Sequence, residues 1–226
     1  MLNRQRIAAV PTRRKSAVPR RRNISERGKR ILHAAVNRFT RDGAAAFTAR
    51  GVAKEAGVSL GSVQHIFPSK NELLKAMLEF KLTEYEAVFQ QFMFDLPLDS
   101  ETRLITMIRC LVEDTMKPNT RKFFFNLYAL GCHDDLAARL LRDIYARHQR
   151  RVASVIAAAR PNLSAGQCLD FALHIISLID GLTVHTGPRS KIIGRRDTLP
   201  GRVKDVVLLM LGPAPSRSLQ ETRTSE

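Results

Sequence analysis

At 226 residues and 44% hydrophobic content the chain is long enough to bury a sizeable core, in one domain or two. A formal net charge of +16 and an isoelectric point near 10.7 predict attraction to a polyanion, either nucleic acid or an anionic membrane surface. Cys110, Cys132 and Cys168 stand far apart without metal or redox spacing, and no apolar run approaches the roughly 20 residues of a membrane span, which points to buried thiols in a reducing cytoplasm and away from a disulfide scaffold or a transmembrane protein.

The charge is concentrated at the start. Residues 1–24 carry eight Lys or Arg and no acid, residues 25–70 carry eight against three, and residues 71–226 carry 21 against 18. The stretch PTRRKSAVPRRRN is basic, acid-poor and interrupted by proline, so residues 1–24 are expected to form a disordered arm, with no apolar stretch behind it to make a signal peptide. From Ser25 onward Ile31, Leu32, Ala35, Val36 and Phe39 recur at helical spacing, with Ser25 as N-cap and Gly43 as terminator. Thr48 caps a short second helix with Val52, Ala53 and Ala56 inward, and Gly57 supplies the positive φ of a tight turn. Ser59 caps a third, with Val63, Ile66 and Phe67 inward and Leu60, Gly61, Gln64 and His65 on the opposite face. Ser69 and Glu72, in S-x-x-E spacing, open a fourth helix as a capping box. Its stripe of Leu74, Leu78, Leu82, Tyr85, Phe89 and Phe92 ends before Asp95 and Pro97.

Further helices are expected near 100–116, 134–159, 165–186 and 201–211, with the aromatic segment RKFFFNLYALG between the first two. The helix near 165–186 is apolar nearly all round, so it is expected to be buried on more than one side, most simply against a second subunit. Gly181 suits a close approach there, or is simply tolerated in a core helix. PAPSRSLQETRTSE, residues 213–226, reads as a frayed tail. No strand-period alternation is found, and the fold class is all-α.

Two short helices joined by a glycine turn, with a third against them, make a helix-turn-helix, whose second helix enters the major groove N-terminus first. Gly61 lies on the exposed face of that helix. Its helical cost of about 1 kcal/mol has a use if the backbone must approach DNA. Beyond the pattern, the run from Arg30 to Leu74, with ILHAAVNRF, Gly43, FTARGVAKEAGVSLGSV and FPSKNELL, resembles the DNA-binding domain of the tetracycline-repressor (TetR) family of transcriptional regulators. LIDGL, in the helix near 165–186, is similar to a stretch in many members. The resemblance implies a helix-turn-helix domain at 25–70, joined by the long fourth helix to a helical effector-binding and dimerisation domain at 71–212. It further implies a homodimer on operator DNA, released by a small molecule.

Carried over by position, Thr48 would touch a phosphate, Arg50 would read a guanine and Lys70 would hold a phosphate. Gln64 stands where the family usually shows Tyr, and Ile66 where it shows Tyr or His. Gln pairs with adenine N6 and N7, so Gln64 is a candidate base reader, and His65 is left as a phosphate donor. Ser59, Leu60, Gly61 and Ser62 complete the expected DNA face. Thr48 and Ser59 would also be justified as helix caps alone, Arg50 and Lys70 as solvated charges, and the arm either enters a minor groove or serves as a solubility tail. The effector site is expected among Tyr85, Phe89, Phe124, Asn126, Tyr128, Tyr145, His148 and His174, mostly apolar with few polar anchors. A homodimer is expected through the helices near 165–186 and 201–211. With no G-x-G-x-x-G, G-x-S-x-G or H-E-x-x-H, neither an enzyme nor a metal or cofactor site is expected. The alternative is a basic, sequence-tolerant DNA-binding or interaction protein on the same fold with a vestigial pocket.

Overall fold

The computed structural model describes residues 24–94, 98–187 and 196–213, so the basic arm up to residue 23 and the tail from 214 lie outside the described residues. Within them the chain is all helical: α1 (Glu26–Asp42), α2 (Ala49–Ala56), α3 (Leu60–Ile66), α4 (Lys70–Phe94), α5 (Ser100–Met116), α6 (Pro118–Gly131), α7 (Asp135–Ala159), α8 (Ala165–His185) and α9 (Leu199–Leu211), the last entered through a 3-10 turn at Arg196–Thr198. The N-terminal helices form a helix-turn-helix and the later ones a helical domain.

The first helices end where local chemistry says they should. Ser25 Oγ accepts from Gly28 N at 3.2 Å, Thr48 Oγ1 from Gly51 N at 3.1 Å and Ser59 Oγ from Ser62 N at 3.1 Å. Gly43 (φ 76°) ends α1 and Gly57 (φ 65°, ψ 36°) turns the chain between α2 and α3, both in the region that favours glycine. Ser69 Oγ accepts from Glu72 N at 3.1 Å, the Ser half of the expected capping box. A complete box opens α8 instead, where Ser164 and Gln167 bond each other's backbone N–H groups. The aromatic segment is the body of α6, started by Pro118 in its first turn.

Two apolar clusters result. The first joins Ile31, Leu32, Phe39, Phe47, Val52, Val63 and Phe67 to Leu73, Leu74, Met77 and Leu78 of α4, and also takes in Phe123 and Leu127 of α6 and Ile144 of α7. The second is built from α5, α7, α8 and α9 around Leu104, Ile108, Val152, Ile156, Ile175 and Val207. Arg160, at the end of α7, is 1% exposed and is held by Glu101 at 2.5 Å and by the Gly212 carbonyl at 3.2 Å, which ties the start of α5 to the end of α9. By length and hydropathy α8 would pass for a membrane span, although no such run was expected. One face, Cys168, Ala172, Ile175, Ile176 and Ile179, is buried in the second cluster, so a core helix accounts for the composition.

Candidate nucleic-acid interface and effector cavity

α2 and α3 leave open the face that the sequence assigns to DNA. Thr48, Arg50, Ser59, Gly61, Gln64, His65 and Lys70 are exposed, and Leu60 and Ser62 half-buried, while Val52, Ala53, Val63 and Phe67 fill the core beneath. Ile66, expected inward, is half-buried. A Cβ on Gly61 would meet only the Ser59 hydroxyl at 3.9 Å, so no packing inside the protein demands a glycine. Arg50 and Lys70 make no ion pair among the described residues, and neither does Lys54, one turn beyond Arg50 on α2, which sequence reasoning missed. By contrast Arg41, on the α1 side, is engaged by Asp42 at 2.9 Å and Glu55 at 2.8 Å.

The second feature is a cavity of about 140 Å³ between α4, α5, α6, α7 and α8. Four rings form one wall. Tyr85 and Phe124 have centroids 6.0 Å apart, Phe124 and Tyr128 6.0 Å, and Tyr128 and Tyr145 6.3 Å, each pair tilted by 40° or less. The Tyr128 and Tyr145 hydroxyls bond each other, and Tyr145 donates to Asp180 Oδ2 at 2.6 Å. Burial pushes the Tyr85 and Tyr128 phenols up to about 12 and raises the Asp180 carboxyl above the usual carboxylate range, although the two tyrosine hydroxyls hold Asp180 back. His148 also lines the cavity, where burial and then the Arg151 charge push its imidazole down to about 4 and keep it neutral.

Of the expected effector residues, Tyr85, Phe124, Tyr128, Tyr145 and His148 line this cavity. Asn126 does not. It points the other way, donating from Nδ2 to the Phe39 carbonyl at 2.8 Å and the Thr40 carbonyl at 3.3 Å at the end of α1. His174 is exposed, because the cavity takes Ile176, Ile179, Asp180 and Thr183 from the opposite side of α8. The Phe89 side chain lies outside the described residues. Asp114, Arg147, Arg151 and Asp180 also line the cavity and were not anticipated. They converge only through the packing of α5, α7 and α8, which no local spacing announces.

Residues 31–77 match the family described as bacterial regulatory proteins, tetR family, and residues 100–192 match the C-terminal region described as that of BetI-type transcriptional repressors. The HTH-type transcriptional regulator BetI of Cronobacter sakazakii is 29% identical over 159 residues, covering 69% of this chain and 77% of that one. Among solved structures, a putative TetR-family regulator from Rhodococcus sp. superposes with a TM-score of 0.67 at 19% identity over 82% of this chain and 98% of that one. A putative transcriptional regulator from Saccharomonospora viridis, solved in complex with choline, gives 0.61 at 19% identity over 83% and 97%.

Proposed function

Because the chain belongs to the TetR family of transcriptional regulators and is a DNA-binding repressor, we propose that it acts in the cytoplasm as a homodimer and leaves its operator when a small organic cation enters the cavity. The observation that carries the DNA half is the open face of α3, where Gly61, Gln64 and His65 are exposed on one side, next to the unpaired Arg50 and Lys70. On this reading Arg50 and Gln64 meet base edges, His65, Lys70 and the Thr48 hydroxyl meet phosphates, and Ser59, Leu60 and Ser62 shape the entry of the helix. The DNA-binding unit is residues 25–70 and the effector and dimerisation unit 71–212.

The cation follows from the lining. Aromatic faces attract cations, as the Lys81 ammonium 4.9 Å over the Tyr85 ring already does, and Asp114 and Asp180 add carboxylates. A cavity of about 150 Å³ takes a molecule the size of benzene, so the site suits a compact ion. Relatives named BetI and the choline-bound neighbour point the same way. Release would travel through α4 and α6, each of which packs on α1 and also lines the cavity.

The test starts from operator duplexes selected out of a random pool by the purified protein. Choline and tetramethylammonium should weaken operator binding roughly 5- to 150-fold, the range of ordinary allosteric coupling, and the neutral isostere 3,3-dimethylbutanol should not. Arg50→Ala and Gln64→Ala should relax preference at particular positions by about 1–3 kcal/mol, whereas Lys70→Ala should weaken all sequences alike and reduce the salt dependence. Binding without sequence preference and with a steep salt slope favours the sequence-tolerant alternative. Indifference to both cations removes the effector assignment.

A further inference from the structure

Gly51 is out of place. It sits in the first turn of α2, an eight-residue helix, where glycine is worse than alanine by the largest margin of any residue except proline. Its φ is not positive, so the backbone does not require it. What does require it is a neighbour. A Cβ built there would lie 2.4 Å from Arg38 Nε, 2.6 Å from Cζ and 2.9 Å from Nη2, all closer than real Cβ contacts come. The guanidinium of α1 therefore lies directly against the α2 backbone, in space that any other residue at 51 would fill.

The same guanidinium is engaged on its remaining sides. Nε donates to the Ala46 carbonyl at 3.0 Å, and Nη1 stands 3.6 Å from Asp42 Oδ2 and 4.0 Å from Glu55 Oε2. Arg38 thus touches α1, the connection into α2 and α2 itself. Two residues after Ala46, Thr48 closes the first turn of α2 by accepting the N–H of Gly51, the residue Arg38 lies against. Arg50 projects from that turn.

We propose that Arg38 is a positioning residue for operator recognition: it fixes the N-terminal turn of α2 on α1 so that Thr48 and Arg50 meet the DNA, and Gly51 is there to admit it. The proposal rests on the assignment of that turn to DNA. Arg38 itself faces the inside of the unit, with its side chain 24% exposed, and touches no base or phosphate in this role.

Two mutations separate position from fold. Gly51→Ala favours the helix and displaces the guanidinium, a flexible group that moves without unfolding anything, so the thermal midpoint should hold or rise. Operator affinity should nevertheless fall about tenfold, the scale of one charge-assisted hydrogen bond, with a shallower salt dependence because a phosphate contact is lost. Arg38→Ala should fall by a similar factor, and the double variant should be no worse than Arg38→Ala alone, because once the guanidinium is gone the added methyl group displaces nothing. Wild-type affinity and salt slope in Gly51→Ala and Arg38→Ala, or losses that simply multiply in the double variant, overturn the proposal. Arg50→Ala, measured alongside, tells the two levels apart. If it weakens binding while the Arg38 and Gly51 variants do not, only the positioning role fails. If it is silent, the assignment of α2 to DNA fails and takes the positioning role with it.

Discussion

His148 is a base kept from titrating. Its imidazole is pushed down from 6.5 to about 4, chiefly by burial, and it makes no hydrogen bond among the described residues. Between about 4 and 6.5 the unfolded chain binds a proton that the folded one refuses, so stability contributed by His148 is present above 6.5 and is lost as pH falls through that window. Asp180 works in the opposite sense, since its raised carboxyl lets the folded chain keep a proton that the unfolded chain has released. The net profile therefore mixes the two, and the informative quantity is the difference between wild type and His148→Gln. Thermal midpoints taken from pH 4 to pH 7 should decline less steeply toward acid in the variant. Parallel profiles would mean that His148 titrates in the fold as it does in water.

At the scale of elements, α6 is the piece with two sides. Phe124 and Tyr128 enter the cavity, while Phe123 packs edge-on against Phe39 at 5.5 Å and Asn126 caps the last carbonyls of α1. Asn126→Ala strands those carbonyls and should lower stability by about 1–3 kcal/mol. It should also uncouple the two ends: choline affinity measured by calorimetry is retained, while the drop in operator affinity that choline causes shrinks. An unchanged drop would leave α4 as the sole route. The same helix shows what a sequence discloses. Ser25, Thr48, Ser59, Gly43 and Gly57 were legible because a cap or a positive φ is decided within three or four residues. The helical nature of RKFFFNLYALG was less so, since a run of aromatics has no polar face to set a period, although Pro118 marked the start. Asn126 was placed in the effector site by proximity to Phe124 and Tyr128, yet two residues along a helix is about 200° around it, which carries the side chain to the other face. Asp114 and Asp180 meet only in three dimensions.

For the whole molecule, the exposed apolar residues gather on two helices. Leu169, Leu173 and Val184 of α8 and Val206, Leu209 and Met210 of α9 are open, Leu209 to 82%, and a Cβ on Gly181 would meet nothing within 4 Å. A surface of this kind at the far end from α3 suits a second copy. Sedimentation at micromolar concentration should give a dimer of the 25.4 kDa chain, and Leu209→Glu combined with Leu173→Glu a monomer that no longer grips a two-half-site operator. A monomeric wild type would remove the interface. The cavity inherits a constraint from this layout. Its α6 wall is also the seam to α1, and its α8 wall, Ile176, Ile179, Asp180 and Thr183, backs the face offered to a partner copy. A lineage that changes its inducer through either wall therefore disturbs the response or the assembly at the same time. Leu111, Asp114 and Thr115 on α5 border neither, so new inducer preferences should arise there first, and laboratory evolution under an altered inducer should find its earliest viable mutations on that helix.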